Sequence, residues 1–219
     1  MRSTASVTSF RKGAFEATAS GTGNLRGATP LWVAARIANG VPATSGTKRP
    51  GEEAAGNSAE IAIIQTLLAA GADPRLTTAD GTTPLMMAAG LGRSTFDPSL
   101  RRGLRSHSAE DAVKVLLEAG VDVNGVNEAD FTALHGATFR GLNEVIQILV
   151  DHGANINARD FRGRTPYRLA ELAKQSTQMQ AFPDTAELLK RLGADIHLGI
   201  SGGVQERARD LAADMQQSR

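Results

Sequence analysis

The sequence predicts an all-α solenoid of about four stacked helix–turn–helix units, on three observations. A Thr-Pro-Leu element or a close variant recurs at residues 29–31, 83–85, 132–134 and 165–167. A Gly-Ala-Asp element or a close variant recurs at residues 71–73, 120–122, 153–155 and 193–195. Each of the first three of these glycines is followed, 12 residues later, by the next threonine. Elements that recur at a fixed spacing are the sequence signature of a repeat protein.

The distance from each threonine to its own glycine varies, and it takes the values 42, 37, 21 and 28 residues. All variation in length therefore lies within one half of the unit, and the third unit, of 33 residues, is the shortest. The constant segment is rich in Asp, Asn, Gly and Thr, which are turn-forming residues. We expect it to project between units as a finger, and we call residues 72–82, 121–131 and 154–164 the fingers.

Two helices are predicted between each threonine and its glycine. The first begins at the threonine, a good N-cap, and in three of the four units proline follows it, at a position where no hydrogen bond is lost. The second ends in an apolar stripe directly before the glycine, which suits the left-handed backbone at a helix C-terminus. One such pair cannot bury its apolar face alone, so neighbouring units must stack.

The residues that identify the unit best are Thr132-Ala133-Leu134-His135, Gly153-Ala154-Asn155-Ile156-Asn157, and Gly163 with Thr165-Pro166. In these the chain resembles the ankyrin repeat, and its long insertions between paired helices resemble those of bacterial ankyrin arrays. The resemblance implies an ankyrin repeat domain over residues 27–198, with an irregular segment before it (1–26) and a capping helix or tail after it (199–219). The implied units are residues 27–80, 81–129, 130–162 and 163–198.

The resemblance implies a protein–protein interaction adaptor or scaffold that binds its partner through the fingertips and a concave groove. The family's variable contact positions are the sixth, eighth, ninth and eleventh after the glycine, and the seventh and eighth after the threonine. Aromatic and arginine side chains dominate binding hot spots. We therefore expect the partner-binding residues to be Phe131, Phe139, Arg140, Arg159, Phe161 and Arg162, with Arg164 beside them. For Phe131 and Phe139 the alternative is internal packing against the adjacent helix pair, whereas Phe161 is placed at a fingertip.

Two insertions form a second candidate surface. Residues 39–57 are rich in Gly, Pro and small residues and are typical of a loop, while residues 92–108 are basic. The arginines of this alternative site are Arg93, Arg101, Arg102 and Arg105, against Asp97 alone. Such a loop could bind an acidic partner or a nucleic-acid backbone. The other interpretation is a solvated loop, since insertions in surface loops cost little free energy.

The composition gives no basis for catalysis. The absence of cysteine excludes disulfides, thiolate metal ligands and thiol nucleophiles, and the four histidines are scattered. The resemblance assigns His135 to hydrogen bonds with neighbouring backbone or threonine. The net charge is only +1, whereas nucleic-acid-binding domains are usually strongly basic. We expect no enzymatic activity, cofactor or metal, and another protein as partner rather than nucleic acid, a membrane or a small molecule. Because no signal peptide or membrane span is evident, we expect a cytoplasmic protein.

The two ends of the predicted solenoid differ. Residues 204–218 are typical of a polar amphipathic helix suited to capping. At the other end the first helix begins with apolar residues that need a cover, because terminal units normally carry polar outer faces. Either Phe10 and Phe15 cover this edge, or the natural protein is longer or pairs there.

Overall fold

A computed structural model describes residues 26–39, 58–91, 106–161, 163–171 and 182–198. These residues form eight helices in four pairs and contain no strand, which confirms the all-α solenoid. The pairs are α1 (Pro30–Ala38) with α2 (Ser58–Ala69), α3 (Pro84–Ala88) with α4 (His107–Glu118), α5 (Ala133–Arg140) with α6 (Asn143–Asp151), and α7 (Pro166–Glu171) with α8 (Pro183–Arg191).

The first helix of each pair begins where the threonine pattern predicts. The Oγ1 atom of Thr29 accepts a hydrogen bond from the N–H of Trp32 at 3.1 Å, and Thr83 caps α3 in the same way at 3.1 Å. Thr132 accepts from the N–H of His135 at 3.4 Å, although alanine stands at the position of the usual proline. The hydroxyl thus satisfies one of the N–H groups that a helix start leaves unpaired.

The second helix of each pair ends at the predicted glycine. Gly71, Gly120, Gly153 and Gly193 have φ values of 88°, 81°, 86° and 96°. The N–H of Gly71 donates to the carbonyl of Leu68, and the N–H of Ala72 to that of Leu67. This is the pairing of a left-handed C-cap, which a residue with a Cβ adopts only at a cost.

Neighbouring pairs stack so closely that some positions admit no side chain. A Cβ atom on Gly136 of α5 would lie 2.7 Å from the backbone nitrogen of Leu91 in the preceding unit. The indole N–H of Trp32 in α1 donates to the carbonyl of Thr82 in the next unit at 3.1 Å. One continuous apolar core of Leu, Ala, Met, Ile, Val and Phe side chains therefore runs through the four pairs.

The predicted loops between paired helices lie largely outside the described residues. The third unit has none, since only Gly141 and Leu142 separate α5 from α6. Helix α4 begins at His107, with Ser106 as its N-cap, so the prediction that His107 and Ser108 belong to the basic loop 92–108 is wrong. Asn39 at the start of loop 39–57 is also ordered and buried, as the C-cap of α1. The C-terminal helix predicted at residues 204–218 lies outside the described residues.

Candidate functional site

The fingers form a continuous row because main-chain hydrogen bonds join each finger to the one before it. The N–H of Glu128 donates to the carbonyl of Asp80 at 2.9 Å, and the N–H of Phe161 donates to that of Ala129 at 3.0 Å. These bonds fix the register between neighbouring fingers. Residues at the same position of successive fingers therefore lie side by side.

Polar side chains at the seventh position after the glycine stabilise each finger from inside. The Oδ1 atom of Asn127 accepts from the N–H groups of Ala129 and Phe131 at 3.0 and 3.1 Å. Its amide nitrogen donates to the hydroxyl of Thr82 in the preceding finger at 3.2 Å. Asp160, at the same position, accepts from the N–H of Arg164 at 2.8 Å. The seventh position is a buried structural position rather than a contact position.

The three phenylalanines predicted to contact a partner are buried. Phe131 is 1%, Phe161 3% and Phe139 6% exposed, so the prediction that they are exposed is wrong. Phe131 stands at the centre, with edge-to-face contacts whose centroid distances are 5.6 Å to Phe139, 5.8 Å to His135 and 6.1 Å to Phe161. For Phe131 and Phe139 the internal-packing alternative is the one observed. The cluster holds the second and third fingers against α5.

For Phe131, the reason for this burial lies in the eleventh position of the finger. Thr82, Phe131 and Arg164 all occupy it, and all three are buried. The eleventh residue directly precedes the capping threonine, where the chain turns from the finger into the next helix. Its side chain therefore points into the solenoid, whatever the residue type.

Arg140 is also internal, which corrects its assignment to the partner surface. It is 6% exposed, and its guanidinium donates to Oδ1 of Asn39 at 3.0 Å. The amide of Asn39 in turn donates to the carbonyl of Met87 at 2.9 Å. Gly90 makes room for this connection, because a Cβ there would lie 2.7 Å from Cγ of Arg140. Arg140 stands eight residues after Thr132, a position that faces the preceding unit rather than the groove.

Arg164 forms a buried ion pair with Asp160. Its Nε and Nη2 atoms lie 2.7 and 2.6 Å from Oδ2 of the carboxylate. Arg164, predicted to lie beside the partner-binding residues, therefore braces the third finger instead. Arg159 is exposed, as predicted. Arg162 lies outside the described residues, as do Arg93, Arg101, Arg102 and Arg105 of the alternative loop site.

Among the predicted contact positions of the fingers, the sixth after each glycine is exposed on all three fingers. Thr77, Val126 and Arg159 occupy it on successive fingers. Val126 is 54% exposed and Leu76, beside Thr77, is 51% exposed, so the first two fingers offer apolar surface to the solvent. We call Leu76, Thr77, Val126 and Arg159 the finger row. It presents apolar, hydroxyl and guanidinium groups on a hydrogen-bonded scaffold.

Part of the chain that forms this solenoid matches a known protein family. Residues 103–198 match the family of ankyrin repeats in its three-copy form. These residues of the chain are ankyrin repeats. Ankyrin repeats generally mediate protein–protein interaction and are generally not catalytic.

Relatives share the ankyrin repeats over part of their length. Alpha-latroinsectotoxin-Lt1a of Latrodectus tredecimguttatus is 33% identical over 125 residues, covering 56% of this chain and 8% of the relative. Rabankyrin-5 of Homo sapiens is 32% identical over 104 residues, covering 47% of this chain and 8% of the relative. An ankyrin repeat-containing protein of Schizosaccharomyces pombe is 35% identical over 66 residues, covering 30% of this chain and 32% of the relative. The chain thus spans less than a third of each, and these eukaryotic proteins do not support the bacterial type that its insertions indicate.

In these ankyrin repeats the described residues contain no group of three histidine, cysteine or carboxylate side chains that could hold a metal ion. No helix in the same ranges has both the length and the hydropathy needed to cross a membrane. The sequence-based choice favoured aromatic residues and missed Leu76, Thr77 and Val126. The sixth-position register in the sequence includes Thr77 and Val126, but the choice among the contact positions followed side-chain type. No sequence signal distinguished Leu76.

His135 makes the contacts that the ankyrin resemblance implies. Its Nδ1 atom accepts from the N–H of Thr132 at 3.1 Å, and its Nε2 atom lies 3.3 Å from the carbonyl oxygen of Arg164. Nδ1 is thus the acceptor and Nε2–H the donor. Burial lowers the pKa of His135 from 6.5 to about 4, and the carboxylate of Asp160 opposes this shift only in part.

This buried ankyrin histidine should make the array less stable in acid. With its pKa higher in the unfolded chain, protonation favours unfolding as the pH falls from 6.5 towards 4. The free energy of unfolding should lose about 3 kcal/mol over this range from His135 alone. Urea unfolding between pH 7 and pH 4.5 measures the loss. A His135→Asn variant should be less stable at pH 7 but flatter in pH dependence, whereas the exposed His152→Gln variant should follow the original chain. Equal slopes for all three would contradict the assignment.

Proposed function

We propose that this ankyrin repeat protein is an adaptor that binds another protein through the finger row, without catalysis. The observation that carries the proposal is the exposure of Thr77, Val126 and Arg159 at one register on three hydrogen-bonded fingers. Ankyrin repeats generally bind proteins, which gives this surface its class of ligand.

The chemistry of the finger row suits a protein surface. Val126 and Leu76 supply apolar area, and Arg159 supplies a guanidinium that can form paired hydrogen bonds with a carboxylate. Binding sites of this kind combine an apolar contact with directional polar contacts. We infer that the partner presents a small apolar patch next to an acidic group.

The buried aromatic cluster supports the proposal indirectly. Phe131 and Phe161 fasten two neighbouring fingers to each other and to α5. A row held this way has little conformational entropy to lose when a partner binds, and preorganisation of this kind strengthens binding. The predicted aromatic residues would then act on affinity through the shape of the fingers.

Affinity capture with matched variants tests the proposal. We expect a Val126→Asp, Arg159→Ala double variant to lose a specific partner that the original chain retains at physiological salt. Hot-spot side chains often contribute on the order of 2 kcal/mol each, so the affinity should fall at least about 30-fold. The control is Glu187→Ala with Lys190→Ala on the exposed surface of α8. If both variants retained the partner equally, the finger row would be excluded as the binding site.

The arginine-rich insertion remains a second prediction, for nucleic acid or an acidic partner. Replacing Arg93, Arg101, Arg102 and Arg105 by alanine separates the two sites. If the finger row binds the partner, this fourfold variant retains it and the double finger variant does not.

A further inference from the structure

One face of the first helix pair carries large apolar side chains that the described part of the chain leaves uncovered. Val33 is 43% and Ile63 52% exposed. Together with Ile37 and Leu67 they line a groove of about 470 Å³, whose wall includes Ala28 and the acidic Glu60. We call Val33, Ile37, Ile63 and Leu67 the open face.

The register of the repeat shows what kind of surface the open face is. Val33 stands four residues after its threonine, and its equivalent in the second unit, Met87, is fully buried. Ile63 stands eight residues before its glycine, and its equivalents Ala112, Val145 and Thr185 are at most 1% exposed. These positions face the preceding unit, since the Thr185 hydroxyl donates to Oδ1 of Asn143 in that unit at 2.7 Å. The open face is therefore a stacking face.

The size of the groove restricts its occupant. A stable contact between two protein molecules buries about 800 Å² and 20 to 30 residues on each side. A groove of about 470 Å³, lined by eight of the described residues, is nearer to a ligand pocket and would be filled by a few large side chains. A short segment fits these dimensions better than a second copy of the chain.

We propose that residues 7–15 of this same chain bind the open face, with Phe10 and Phe15 in the groove. These are the two aromatic residues that precede Trp32 in the sequence. They are tethered beside the groove, because Ala28 lines its wall and residues 16–27 reach at most about 40 Å. A tether of this length gives an effective concentration in the millimolar range. The basic Arg11 and Lys12 between the rings complement Glu60.

Thiol labelling tests this proposal on the full chain. Because the chain has no cysteine, a single introduced thiol is the one reactive site. We expect Ile63→Cys to react with a maleimide about tenfold more slowly than the same variant that also carries Phe10→Ser and Phe15→Ser. The matched control is Val126→Cys, whose position is as exposed as that of Ile63 and lies on the fingers. Its rate should not change with the serine substitutions.

Val33→Cys gives an independent second reading of the same groove and should show the same protection. Equal rates with and without the serine substitutions, at both groove positions, would overturn the proposal. Protection that rises with protein concentration, together with a dimer in sedimentation, would overturn it in favour of a second copy. The labelling does not depend on any partner, so its failure leaves the finger-row proposal untouched.

Discussion

Truncation of Phe131 to alanine is expected to lower the free energy of unfolding by about 3–5 kcal/mol, the usual range for a buried phenylalanine. The ring is 1% exposed and has edge-to-face contacts with Phe139, His135 and Phe161. Its loss leaves a cavity where two fingers meet α5, and the three remaining rings lose their common neighbour. Urea unfolding followed by circular dichroism at pH 7 measures the change.

Val126→Ala in the same finger is the control for this truncation. Its side chain is 54% exposed, so the free energy of unfolding should change by less than about 0.5 kcal/mol. The two variants also separate structure from binding. Under conditions where both variants are folded, Val126→Ala should reduce the free energy of partner binding by more than it reduces the free energy of unfolding. A mild effect of Phe131→Ala on stability, together with a large loss of partner, would restore the ring as a direct contact.

Replacement of Asp160 by alanine is expected to lower the free energy of unfolding by about 3–5 kcal/mol. The substitution leaves the buried guanidinium of Arg164 without its carboxylate partner. The pair is short, at 2.6 Å between Nη2 and Oδ2, and the same carboxylate accepts the backbone N–H of Arg164. The midpoint of urea unfolding reports the loss. Asp111→Ala is the control, since Asp111 and Lys114 form a surface pair with about half of each side chain exposed.

A double variant tells pairing apart from packing at this site. Asp160→Ala combined with Arg164→Met removes both charges and leaves an apolar side chain of similar length. Because an apolar replacement of a buried ion pair is often neutral or better, the double variant should recover much of the stability lost by Asp160→Ala. A double variant that is less stable than Asp160→Ala would show that the guanidinium has a role beyond the pair.

The local elements of this fold were predictable because local contacts determine them. The Thr29 cap bonds a residue three positions away, and Gly71 has a left-handed backbone that few other residues adopt. Spacing alone was enough to place such features. The side-chain directions in the fingers were not predictable in this way. Phe131 is buried because the neighbouring finger and α5 surround it, and that environment depends on the packing of the units rather than on local spacing.

Arg140 shows the same limit more sharply. Its partner Asn39 is 101 residues away, at the C-cap of α1, and no pattern in the sequence links the two. A basic residue in the last turn of a helix is expected to interact with the free carbonyl groups at that helix end. Only the stacking of three units, with Gly90 between the two side chains, turns Arg140 inward.

The link between Arg140 and Asn39 also bears on how the array melts. A solenoid whose units touch only their nearest neighbours behaves as a one-dimensional chain, and its ends can fray independently. Here a side chain of the third unit is hydrogen-bonded to the first, across a glycine of the second. The first pair cannot detach without breaking a contact in the middle of the array. This hydrogen bond therefore couples the end of the solenoid to its centre beyond the contacts between nearest neighbours.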